Sequence, residues 1–75
     1  MTQPLRLTAI IGREAEGFVA LCPELDVASQ GASIEEARAN LVEALSLFLE
    51  TADPSEVAGR FRSEIFVTQV EVPVG

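Results

Sequence analysis

GFVALCPELDVASQGASIEEA, residues 17–37, runs from apolar residues through Cys-Pro and two acids to Gln-Gly and then Ser-Ile-Glu-Glu-Ala. The stretch divides into three parts. "FVALC" has the composition of a strand and stops at Pro23, which has no N–H to continue a ladder. "ELDVASQG" reads as a brief strand around Leu25, Val27 and Ser29, ended by Gly31. Ser33 followed three residues later by Glu36 is a capping box, so a helix starts at Ile34. Glu35 and Glu36 then lie in the first turn, where the helix dipole favours negative charge.

On the N-terminal side, "LRLTAIIGR" (5–13) places Leu5, Leu7, Ala9 and Ile11 on one face, the period of a strand. "EAEG" supplies the turn to the second strand, with Gly17 free to adopt positive φ. On the C-terminal side the helix runs from Ile34 to Thr51. Its stripe consists of Ile34, Ala37, Leu41, Ala44, Leu45, Phe48 and Ala52. Leu47 falls off that stripe, either as an ordinary exposed leucine or as part of an association surface. Asp53-Pro54 ends the helix, with room for one short turn before Gly59. "RFRSEIFVTQVEV" (60–72) reads as a last strand, apolar on both faces: Ile65 and Val67 on one, Phe66, Val70 and Val72 on the other. Two-sided apolar strands are covered on both sides, and with one helix available the second cover would be another subunit. The expected fold is α+β: two-layer, β-β-β-α-β, a small, mainly antiparallel sheet with one helix on one face, in a single domain spanning 1–75.

Seventy-five residues bury only about 60% of the unfolded surface, so a core of this size calls for reinforcement. One cysteine and no histidine rule out an internal disulfide and make a zinc site untenable, whereas 48% hydrophobic residues favour a homodimer or tetramer. Leu47, Ile65 and Val67 are the candidate interface residues. The net charge of −7, twelve acids against five arginines, opposes binding to nucleic acid alone or to an anionic membrane, and favours a basic protein partner. The absence of a secretory signal, of an 18-residue apolar run and of paired cysteines gives a cytoplasmic expectation.

Catalytic readings fail on residue type. Cys22 has no histidine to act as base and no cationic neighbour to lower its pKa, so a small buried hydrophobe is the better account. Glu24 and Asp26, two apart on an extended chain, could share a divalent ion, but no further acids complete a site. They read instead as solvated side chains beside packed Leu25 and Val27. Gly31 precedes a helix, yet there is no glycine-rich run and no lysine to hold a phosphate. No catalytic residue, metal ligand or cofactor is expected.

The ordered motifs Gly17-Phe18-Val19-Ala20, Cys22-Pro23-Glu24-Leu25, Ser29-Gln30-Gly31, Ser33-Ile34-Glu35-Glu36-Ala37 and Asn40-Leu41-Val42-Glu43-Ala44 resemble the HicB-like antitoxin family. That resemblance implies a partial ribonuclease-H-like fold and a non-enzymatic protein that binds and occludes a small, basic, mRNA-cleaving toxin. Many family members continue into a DNA-binding segment. This sequence ends at Val74-Gly75, so a domain without its own DNA-binding module is expected. Asp26-Val27 also replaces the usual Pro-Gly, and Ser33 the usual threonine. The acids without an evident structural role, Glu24, Asp26, Glu43 and Glu50, are the candidate toxin-binding residues. The other expectation is an orphan oligomeric module that binds a protein or ligand and has no toxin.

Ribonuclease-H-type chemistry needs acids clustered on adjacent strands to hold two metal ions, starting in the first strand. Leu5–Ile11 contains none. Incubation with an RNA–DNA hybrid and magnesium or manganese is expected to leave the hybrid intact; cleavage abolished by Asp26→Asn would contradict this.

Overall fold

Residues 5–75 are described by a computed structural model. Strand β1 spans Ile10–Glu14, β2 Gly17–Cys22 and β3 Val27–Gly31. They lie in the order β1-β2-β3, both pairings antiparallel, with Ile11 opposite Ala20 and Ala20 opposite Ser29. Alternation then sends Ile11, Phe18, Ala20, Cys22 and Val27 toward one layer, where they meet helix α1, Ile34–Thr51. A second helix, α2, spans Pro54–Arg60. The α+β two-layer arrangement expected from the sequence is therefore present.

The turns differ in detail from expectation. In the first hairpin the left-handed residue is Ala15 (φ 50°), and no glycine has positive φ. Gly17 is needed for space: a Cβ there would lie 2.9 Å from the Gly31 carbonyl oxygen. The second connection is a four-residue turn, Pro23–Asp26, closed by Asp26 in the left-handed region (φ 56°), which the short polar side chain of aspartate tolerates. Leu25 thus belongs to the turn and not to β3, and it is completely buried. The ladder of β1 starts at Ile10 and not at Leu5, because β2 stops before Pro23 and offers nothing opposite Thr8.

Helix α1 begins where the capping box places it. The Ser33 hydroxyl accepts the Glu36 N–H at 3.1 Å, and the Glu36 carboxylate reaches back to accept the Ala32 N–H at 2.7 Å. Ala37, Leu41 and Leu45 are buried against Ala20, Cys22 and Leu25; Phe48, Val57 and Phe61 close the end of this core. Ile34, assigned to the stripe, is half exposed. The Asn40 side-chain amide donates to the Gln30 carbonyl at 2.8 Å and fixes the helix over β3. The helix ends at its Ala52 cap, and Pro54 starts α2, a seven-residue helix where a single turn was expected.

The expected fourth strand over 60–72 does not form a ladder in this chain. Arg60 is still helical, and the residues beyond it pair with no strand among the described residues. Phe66, Val67, Val70 and Val72 are 62–86% exposed. The radius of gyration, 14.5 Å, exceeds the about 11 Å of a compact chain of this length. Alternation marks two apolar faces along this segment, but it does not supply an edge to receive them.

Gly31 sets how closely β3 approaches the helix: a Cβ there would lie 2.5 Å from the Ala37 nitrogen and 2.8 Å from the Glu36 carbonyl carbon. Both are backbone atoms and cannot swing aside. Gly31→Ala is expected to destabilise the fold by about 1–3 kcal/mol, read as a lower urea midpoint. An unchanged midpoint would show that the helix seat is looser than these distances imply.

Candidate interaction surface

The Pro23–Asp26 turn carries two of the four acids singled out from the sequence, and it separates them completely. Asp26 is exposed, while Glu24 is buried at 8% exposure. Both oxygens of the Glu24 carboxylate accept the Thr8 N–H at 3.0 Å, and Oε2 also accepts the Thr8 hydroxyl at 2.6 Å. The Cys22 thiol donates to Oε1 at 3.4 Å. Glu24 is therefore not a solvated partner-binding residue; it takes the N–H that β2 cannot receive once Pro23 has ended the strand. Sequence reading missed this because the partner lies sixteen residues upstream. An acid directly after a strand-ending proline was the available signal.

The electrostatics follow from this geometry. Desolvation pushes the Glu24 carboxyl up, but the Thr8 hydroxyl and N–H outweigh it and hold the group below the ordinary carboxylate range. Burial pushes the Cys22 thiol up, and the hydrogen bond to Glu24 and its negative charge add to that. A thiol disfavoured as thiolate is a poor nucleophile, in keeping with a packing role at the strand end.

Glu43 and Glu50 are exposed, seven residues apart on α1, hence on one side of the helix and opposite the buried Ala37–Leu41–Leu45 stripe. With Asp26 they leave three of the four candidate acids available to a partner. Of the apolar candidates, Leu47 is 59% and Val67 62% exposed, whereas Ile65 is half-buried. Phe66, Val70 and Val72, which were not among those candidates, are more exposed than Val67. Among the described residues, no group of three or more Cys, Asp or Glu is placed to hold a metal ion, and no helix is long and apolar enough to cross a membrane.

A carboxyl held below its ordinary pKa stabilises the fold above that ordinary value, near 4.3, and the contribution fades as pH falls through the folded-state value. Glu24→Gln is accordingly expected to be less stable than the parent at pH 7, with the gap closing below pH 4 in urea titrations. Glu24→Ala, which strands the Thr8 N–H and hydroxyl, should cost about 1–3 kcal/mol at pH 7. A pH-independent gap for Glu24→Gln would refute the charged, buried carboxylate.

Compared with protein-family models, curated proteins and solved structures, the chain matches none.

Proposed function

We propose that this chain is a non-enzymatic, antitoxin-like protein-interaction domain that covers the RNA-binding face of a small, basic, mRNA-cleaving toxin. The supporting observation is the disposition of its acids. Asp26, Glu43 and Glu50 are solvent-exposed in a chain of net charge −7, and Glu24, the one buried carboxylate among the described residues, is engaged by Thr8. The ordered motifs of residues 17–45 and their HicB-like resemblance supply the nature of the partner. An acidic cover meeting a cationic nuclease surface would act by occlusion, keeping RNA from the toxin. Complementary charge speeds such an encounter and suppresses wrong partners, while apolar contacts supply the lasting affinity.

Co-expression with small basic proteins encoded beside this chain is the direct test. A stable complex that blocks mRNA cleavage is the expected outcome. Asp26→Lys/Glu43→Lys/Glu50→Lys should then slow association by at least tenfold at low salt, the deficit shrinking above physiological ionic strength, where the Debye length is about 8 Å. Glu24→Lys is unsuitable for this purpose because it breaks the turn. Failure of every such neighbour to form a complex would replace the toxin-binding reading with that of an orphan oligomeric module.

A further inference from the structure

The same chain carries an unpaired apolar segment and an unpaired sheet edge with an apolar roof. β1 is an edge strand among the described residues. Beside residues 5–9, the flank of α1 overhangs a groove of about 360 Å³ walled by Leu5, Leu7, Leu41, Val42 and Leu49. On that flank Val42 is 53% and Leu49 37% exposed. Beyond Arg62, the segment 64–72 presents Phe66, Val70 and Val72 on one side and Val67 on the other, all exposed.

We infer that the groove and the outer edge of β1 receive residues 64–72 of a second copy of this chain, each copy giving its arm to the other about a two-fold axis. Charge spacing selects the register. Arg6 and Arg13 are seven residues apart, and so are Glu64 and Glu71. An antiparallel alignment that sets Glu64 beside Arg13 also sets Glu71 beside Arg6. It then places Phe66 beside Ile11, Val70 beside Leu7 and Val72 beside Leu5, all on the helix side, and Val67 beside Ile10 on the open side. The parallel alignment pairs the charges too and sets Ile65 beside Leu7 and Val67 beside Ala9 on the helix side. It sends Phe66, Val70 and Val72 to the open side, however, and turns Gln69 and Glu71 toward the helix. It thus offers the groove two apolar side chains where the antiparallel one offers three, the largest among them. The apolar groove chooses the antiparallel one.

That choice identifies the occupant. The Arg62 N–H donates to the Glu24 carbonyl at 2.9 Å, and the Glu24 side chain holds Thr8, so the root of the arm sits at the Thr8 end of the edge. Arg13 lies five strand residues away, roughly 17 Å, while Arg62 and Glu64 are separated by about 7 Å of extended chain. The chain's own arm enters at the wrong end for the antiparallel register; an arm arriving from a two-fold mate does not. At 62–86% exposure, the four apolar arm residues present roughly 500 Å² to solvent, taking a side chain of their class at about 150–250 Å². Two arms with the surfaces receiving them would bury on the order of 1,500–2,000 Å², the size of a stable interface. This pairing does not depend on the toxin-binding reading.

Light scattering on the full chain at tens of micromolar should give twice the 8.0 kDa chain mass; the mass of one chain would overturn the proposal. Phe66→Asp/Val70→Asp should raise the dimer dissociation constant at least tenfold with unchanged circular dichroism, since neither side chain belongs to the core of one copy. Arg13→Glu and Glu64→Arg should each weaken the dimer several-fold and restore it when combined; restoration by Arg6→Glu/Glu64→Arg instead would overturn the register. Gly12→Cys/Ile65→Cys should oxidise to a covalent dimer, and a bridge confined within one chain would overturn the exchange.

Discussion

The Pro23–Asp26 turn ties the approach to β1 and the exit from α2 to the middle of the chain, and Glu24 is its centre. Its carboxylate takes the N–H and hydroxyl of Thr8, on the approach to β1. Its backbone carbonyl takes the N–H of Arg62, where the chain leaves α2. One residue later, the Leu25 carbonyl accepts from the Arg60 guanidinium at 3.2 Å, and that guanidinium also lies 5.1 Å from the Phe48 ring centroid. A small core of Ala20, Cys22, Leu25, Ala37, Leu41 and Leu45 holds the sheet and helix α1 together, and the flanking segments touch it through few side chains, Leu7 on one and Val57 and Phe61 on the other. Hydrogen bonds to charged groups, each worth about 1.5–3 kcal/mol when geometry and burial are good, extend its reach.

The same constraint shapes the surface available to partners. With Glu24 withdrawn into the turn, Asp26 faces solvent beside it, and the remaining candidate acids are on the far side of α1. An acidic partner-binding face would therefore be built mainly on the helix, with the turn contributing one residue. The groove beneath the Val42–Leu49 flank lies beside residues 5–9 and includes none of Asp26, Glu43 and Glu50, so the proposed dimer and the proposed toxin complex would draw on different residues.

Much of this was legible in the residues. The Ile34–Thr51 helix, its Ser33–Glu36 cap and the Pro23 strand end depend on interactions within four positions along the chain, and sequence spacing expresses those directly. Where distant residues decide, it did not. Glu24 looks like a solvated acid until Thr8, sixteen positions earlier, is brought to it. Leu25 looks like a strand residue until the left-handed Asp26 folds it into the turn. Positive φ was assigned to Gly17, but the glycines at 17 and 31 serve close backbone approach, a three-dimensional requirement. Residues 60–72 alternate as a strand does, yet alternation specifies faces and not the edge that receives them.

Titration of the Glu24 carboxyl by NMR, followed at its side-chain carbon and at the Thr8 amide proton, probes the central turn most directly. A buried carboxylate gripping Thr8 predicts a midpoint below the ordinary value near 4.3, shared by both signals. A midpoint at or above that value, with the Thr8 amide indifferent to it, would contradict the account.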